Sequence, residues 1–303
     1  MNIFLAGAEK REWALLLNWL RYPHRLLSYF QLRSSASDAK VSLKLACDQS
    51  PSCDWILDSG LFSFMFGSSK GVLRTYEDYK RYAETYVEDV LRWDYPHRLV
   101  ECDVQRVLGV AECERLRDEV FRPSGLPVIY VWHAPEGPEG LRKLAAREQH
   151  IALSIPELRM ISEQAGPPKR VLIELFRIIR SSGGNPTVHL LGNTEMALMG
   201  LPGDSCDSSS WIASGKYGDG QMFCFDSRTL RKVSIYSPKW RAWQAYCEAQ
   251  HPEAFANIHR TWPEPARYQY YAVVACNAIS YLFFMEARYG QSQRAELRPD
   301  PNS

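Results

Sequence analysis

The chain has 303 residues, of which 46% are hydrophobic and 23% charged, and a formal net charge of +1. That is the composition of an ordinary globular protein with enough apolar residues to bury a full core. It excludes the disordered and collagen-like classes, and it carries no global electrostatic signature of a nucleic-acid binder, so any polynucleotide contact has to use a local basic patch.

The pattern along the chain alternates short apolar runs with amphipathic stretches. Residues 2–6 read as a strand, and 9–20 as a helix with Trp13, Leu16, Leu17 and Leu20 on one face. Residues 26–32 read as a second strand, 39–47 as a helix, and 55–58 as a third strand. The loop from 60 to 74 carries Phe62, Phe64 and Phe66, an alternation expected to pack on a neighbouring surface. Residues 76–93 predict a long helix whose Tyr79, Tyr82, Tyr86 and Val90 form one core-facing stripe. Strands follow at 98–103 and 127–132 with a single helix at 109–121 between them, then a helix at 141–147 and a strand at 150–154. A helix at 169–180, closed by Gly183 and Gly184, leads to strands at 187–191 and 204–207, with a short helix at 195–199 between them. About eight strands alternating with helices is the pattern of a parallel (β/α) architecture, and eight units fit a TIM-like (β/α)8 barrel. An open doubly wound sheet is the alternative; no glycine-rich dinucleotide fingerprint follows the first strand.

From Gly215 the character changes. Glycines mark turns, residues 223–225 and 232–236 suggest a small hairpin, and 238–247 and 268–289 read as helices. The expected division is a barrel core over 1–214 and a hairpin and helical extension over 215–303, loose from about residue 290. The 8 cysteines include no CxxC and no zinc-finger spacing, and several sit inside apolar runs. This predicts free thiols in a reducing, cytoplasmic setting, with disulfides as the alternative that an even count allows. The first residues are charged too early for a signal peptide, and no apolar run is expected to span a membrane.

Three carboxylates stand at the ends of predicted strands: Asp58 after Trp55-Ile56-Leu57, Asp103 after Leu99-Val100-Glu101-Cys102, and Asp207 after Asp204-Ser205-Cys206. Each alone is best explained as a helix N-cap. Together, with His133, Ser154 and Gly192 at other strand ends, they fit the active face of a barrel. Such a set of acids could bind magnesium, act on a glycosidic bond, or hold a cationic ligand. His189, inside an apolar strand, reads as core, and Trp211 as either a lid or packing.

Asp58-Ser59-Gly60-Leu61-Phe62-Ser63 resembles the Asp-Ser-Gly-Gly-Phe/Tyr-Gln motif of tRNA-guanine transglycosylases. Val188-His189-Leu190-Leu191-Gly192 resembles the strand ending in their Met-Gly, and Asp207 follows where that family has its catalytic aspartate. The Asp-Ser-Ser-Ser-Trp form at 207–211 looks closer to the phage and bacterial branch that places 7-deazaguanines into DNA. The resemblance runs from about residue 55 to 211. It implies that Asp207 is the nucleophile, that Asp58 assists proton transfer, and that Asp103 reads the ring N–H and exocyclic amine of a guanine-like base. It also implies base contacts from Phe62 and Leu191 on the two faces, and from Ser59, Ser154 and Gly192 around them. His133 stands where the family has a base-reading Gln, a departure. The implied partners are DNA, favoured over tRNA, and a 7-deazaguanine base such as a 7-cyano or 7-amido derivative, with a partner protein as an option.

No cofactor or metal is expected, because the zinc-binding cysteines of the tRNA enzymes have no counterpart after Asp207. The segment 228–241 offers a candidate polynucleotide grip in Arg228, Arg231, Lys232, Lys239, Trp240 and Arg241, weighed evenly against a solvated face with tryptophan anchors. The rivals are a zinc-less tRNA enzyme, a non-catalytic nucleic-acid-binding barrel subunit, and a carboxylate-based nucleoside or sugar hydrolase.

Overall fold

A computed structural model describes residues 1–34, 53–61, 75–93, 97–165, 167–193, 198 and 201–296. The expected helix at 39–47, the phenylalanine loop with Phe62, and most of the short helix at 195–199 lie outside the described residues.

In chain order the barrel is built from β1 (Asn2–Ala6), α1 (Arg11–Trp19), β2 (His24–Ser28), α2 (Tyr29–Ser34), β3 (Asp54–Asp58), α3 (Tyr76–Arg92), β4 (Arg98–Val100), α4 (Gln105–Leu108) and α5 (Val110–Leu116). It continues through β5 (Val128–Trp132), α6 (Gly137–Arg147), β6 (His150–Ser154), α7 (Ile155–Ala165), α8 (Pro168–Arg180), β7 (Thr187–Leu191) and β8 (Ser205–Ser208). The eight strands are all parallel and close, β8 pairing back onto β1, into a barrel. The chain therefore has the (β/α)8 architecture rather than an open sheet.

Side chains alternate along a strand, so every second residue faces the interior. Phe4, Leu26, Ile56, Val100, Ile129, Val131 and Ala152 fill the barrel's middle. The same alternation turns His24, Asp54, Arg98, His150 and Thr187 inward at the N-terminal end, where Arg98 Nη2 lies 2.5 Å from Asp54 Oδ2 and His150 Nδ1 lies 2.7 Å from Thr187 Oγ1. Outside the strands, the stripe of α3 packs as expected, with Tyr79, Tyr82, Tyr86 and Val90 buried. Its start is fixed by a capping box in which Thr75 Oγ1 accepts from Asp78 N and Asp78 Oδ2 accepts from Thr75 N.

Several boundaries differ from the sequence reading. The second strand begins earlier and ends at Ser28, and the apolar run that follows is helical. The helix expected at 109–121 is present as α5, and a short extra helix, α4, precedes it across Gly109, which sits at φ +91°. A π-helical turn (Arg117–Phe121) and a 3-10 turn (Arg122–Ser124) continue it. The π turn carries Arg117 into the wall of the barrel beside Glu101, and both are 1% exposed. Arg117 Nε donates to Glu101 Oε2 at 2.9 Å and Nη2 to the Val131 carbonyl at 2.6 Å, while Glu101 Oε1 accepts from Val131 N at 2.7 Å.

After β8 come α9 (Ser210–Lys216), the antiparallel hairpin β9 (Asp219–Cys224) and β10 (Thr229–Ser234), then α10 (Pro238–Gln250), α11 (Pro252–Thr261) and α12 (Pro265–Glu296). The last helix corrects two expectations. It runs through residue 290 to Glu296, where a loose tail was expected. Its stretch Pro265–Arg288 is also long and apolar enough by length and composition to cross a bilayer. However, 67% of that window is buried inside the molecule, and residues 272–280 are buried all round. It is the inner helix of the extension, apolar all round in its middle because that part is packed on every side.

Removing Arg117 leaves the Glu101 carboxylate buried without its charge partner. Arg117→Ala is therefore expected to destabilise the fold by about 3–5 kcal/mol, read as a lowered urea midpoint.

Candidate active site

The carboxyl-terminal ends of the strands gather the polar residues singled out from the sequence. Because Ile56 faces inward, so does Asp58, and its register partner Ser28 does the same on β2. The turn that presents Asp58 is held from behind. Tyr86 donates its hydroxyl to the Leu57 carbonyl at 2.7 Å and Tyr82 to the Ser59 carbonyl at 2.6 Å. Gly60 donates its N–H to Asp58 Oδ1 at 2.6 Å from φ +70°, where a Cβ would meet Phe30 Cβ and Ser28 Oγ at 2.5 Å. Only glycine fits this turn. Ser59 is buried within it.

Asp58 shares its surroundings with other acids. Burial pushes its pKa up from 3.8 to about 6; the Gly60 N–H opposes this, and the negative charges of Asp207, Asp103 and Glu9 add to it. The three predicted aspartates thus converge at one end of the barrel. Glu9, in the turn after β1, joins them, its own pKa raised by burial while its Oε2 accepts from Ser28 N at 3.3 Å.

Asp103 lies against His133, whose ring is 1% exposed. His133 Nε2 is 3.2 Å from Asp103 Oδ1, though the two atoms are misaligned for a hydrogen bond and neither finds another partner among the described residues. On the other side, His133 Nδ1 is 3.2 Å from Glu157 Oε2, and Glu157 Oε1 accepts from Ala134 N at 3.0 Å. Burial alone would lower the His133 pKa. The hydrogen bond to Glu157 and the charges of Asp103, Glu157 and Glu101 outweigh that, and the net shift is upward. Burial raises Asp103, opposed by His133. The arrangement is an imidazole held between two acids, with Asp103 Oδ1 and His133 Nε2 left to meet a ligand.

Asp207 sits in β8 beside Phe4, and its Oδ1 accepts from the Gly192 N–H at 2.7 Å. Gly192 adopts φ +63°, and a Cβ there would crowd Pro156 at 3.2 Å. His189 Nε2 lies 3.3 Å from the same Oδ1. The loop after Asp207 is pinned: Ser210 N donates to Ser208 Oγ at 3.1 Å, and the Ser210 hydroxyl lies 2.8 Å from that of Tyr281 on α12. Trp211 is packing rather than a lid, 0% exposed, with Nε1 donating to the Ala6 carbonyl at 2.9 Å.

Other expectations are met differently. Leu191 packs against the inner cluster. The Ser154 hydroxyl accepts from Glu157 N at 3.4 Å and so caps α7. Among the described residues, no group of three or more His, Cys, Asp or Glu is arranged to hold a metal. Glu9, Glu157 and His189 were not expected at the site; His189 could have been found because it has the same strand parity as Leu191.

The basic segment is corrected in part. Trp240 is 0% exposed, so it anchors α10 in the core and cannot stack on a nucleic acid. Arg231 and Lys232 are successive strand residues and point to opposite faces, and Lys232 lies 3.1 Å from Asp219. Arg228, Arg231, Lys232, Lys239 and Arg241 are exposed. A surface cavity of about 460 Å3 borders Tyr236 and Arg241, and no barrel-mouth residue lines it.

No protein-family model and no curated protein matches the chain.

Since folding raises the Asp58 pKa, the native chain holds this proton more tightly than the unfolded chain. The contribution to stability is full below about pH 4 and is lost as pH rises through about 6. Asp58→Asn has no charge to bury. It should gain on the wild type between about pH 4 and pH 8, reaching about 2–3 kcal/mol in urea denaturation.

Proposed function

We propose that this protein is a DNA-guanine transglycosylase that exchanges guanine for a 7-deazaguanine base. The observation that carries this reading is the convergence of Asp58, Asp103 and Asp207, separated in sequence, at the carboxyl end of one barrel, close enough for the latter two to act on the first. A site with several acids and one enclosed imidazole between two of them suits a neutral heterocycle that presents both donors and acceptors.

In the proposed reaction a target nucleotide leaves the base stack so that its sugar reaches Asp207. Asp207 attacks C1′. The new C–O bond forms as the bond from C1′ to N9 breaks, and the electron pair goes to the departing guanine, which takes a proton at N7 from Asp58. The product is a glycosyl ester of Asp207. An incoming 7-deazaguanine then gives its N9 proton to the Asp58 carboxylate, N9 attacks C1′, and the C–O pair returns to Asp207. Two displacements retain configuration, and the proton supplied in the first half is recovered in the second. A carboxyl group titrating near 6 is suited to giving and taking a proton near neutral pH. The 7-deaza base has carbon at position 7 and cannot be protonated there, so it leaves poorly and exchange runs toward insertion.

Asp103 accepts from the base's N–H groups while His133 Nε2–H meets its carbonyl. The exposed Arg228, Arg231, Lys239 and Arg241 are the cations available to phosphates.

The test is incorporation of labelled guanine into duplex DNA, single-stranded DNA and bulk tRNA in parallel. Label is expected in DNA and not in tRNA, with the rate falling at least about a thousandfold in Asp207→Ala. Label in tRNA alone would make this a tRNA enzyme; label in no polynucleotide would contradict the proposal.

A further inference from the structure

His189 has no part in the reaction as written, yet its ring is locked against Asp207. It is 2% exposed, inside the barrel, edge-on to Phe4 at 6.0 Å and 78°. Its Nε2 is 3.3 Å from Asp207 Oδ1 and its Nδ1 is 2.8 Å from the Ser205 hydroxyl, itself 4% exposed. An ionised carboxylate only accepts hydrogen bonds, so the nitrogen facing it has to carry a hydrogen. In a neutral imidazole the other nitrogen is then an acceptor, and the Ser205 hydroxyl is placed to donate to it. Gly192 N donates to the same Oδ1 at 2.7 Å. Oδ1 therefore faces two donors, while among the described residues none bonds Oδ2.

We propose that His189 is a positioning residue whose Nε2–H, fixed by Ser205, holds Oδ1 of Asp207 and leaves Oδ2 as the attacking atom. The proposal rests on the transglycosylase reading. In the ester, Oδ2 is bonded to C1′ and Oδ1 is the carbonyl oxygen. When the incoming base displaces the aspartate, the electron pair of the bond from C1′ to Oδ2 returns to the carboxylate, and the charge spreads onto Oδ1. The N–H groups of His189 and Gly192 meet it there. His189 therefore assists release of the ester, the second half of the exchange.

Two measurements test this. The first needs no substrate: nitrogen NMR of the 15N-histidine-labelled protein, with His189 assigned by its loss in His189→Gln. The ring is expected to carry hydrogen on Nε2 and none on Nδ1, with that preference weakened in Ser205→Ala. An Nε2 without hydrogen overturns the proposal. The second is guanine exchange in variants with unchanged thermal midpoints. His189→Leu is expected to lose at least about tenfold in rate, and His189→Gln, whose amide N–H can reach Oδ1, to recover part of the loss. Wild-type rates in both variants, or equal losses in both, overturn the positioning role. If that happens while Asp207→Ala is inactive, the transglycosylase reading stands without it. An active Asp207→Ala overturns the reading itself.

Discussion

Enclosing several carboxylates at one end of a barrel is unfavourable, because burial and like charge both disfavour the ionised form. The surrounding structure is arranged around that cost. Asp58 receives the Gly60 N–H, Asp207 receives the Gly192 N–H and faces His189, and Asp103 faces His133. These donors do not remove the strain at Asp58, whose pKa remains raised to about 6. Perturbed acids are common where chemistry is done. The contrast with the other end is informative. There Asp54 lies 2.5 Å from Arg98, an ordinary ion pair inside the barrel floor, and its neighbours His24 and His150 have pKa values lowered, chiefly by burial.

The extension is part of this arrangement rather than an appendage. Asn277, in the middle of α12, donates to the Trp211 carbonyl at 2.8 Å and accepts from Gln221 N at 2.6 Å. One buried amide thus joins α9, the helix that follows Asp207, to the hairpin. Tyr281, one turn further along, reaches Ser210 at the start of the same helix. The position of Asp207 therefore depends on residues far from it in sequence, and a chain cut before α12 would lose the support behind the proposed nucleophile.

Much of the barrel was legible because buried parallel strands read as short apolar runs, and the parity of each run decides what its last residue faces. Ile56 gives Asp58, and Ala152 gives Ser154. The second strand was harder. It starts with His24 and Arg25, and Arg25 is fully buried, its guanidinium donating to the Tyr22 carbonyl and Asn18 Oδ1 and lying 5.0 Å over the Trp55 ring, a tertiary contact invisible in a local window. The π turn after α5 carries Arg117 of the Arg117–Glu101 pair, which depends on a contact between elements that a local window does not show. At the site, the aspartates stood out because acids end apolar runs. Glu9 and Glu157 did not, since an acid near a helix start is ordinary. Trp240 misled for the opposite reason: an aromatic among cations resembles a stacking platform until burial shows it is core.

The central claim is that Asp207 bonds covalently to the sugar of a polynucleotide. The most direct measurement is mass spectrometry of the proteolysed protein after incubation with a guanine-containing DNA oligonucleotide and an acid quench. The account predicts a deoxyribose-linked peptide containing Asp207, absent when every guanine in the oligonucleotide is replaced by 7-deazaguanine. Exchange of base into DNA with the adduct on another residue, or with no adduct under conditions that stall the second displacement, would contradict it.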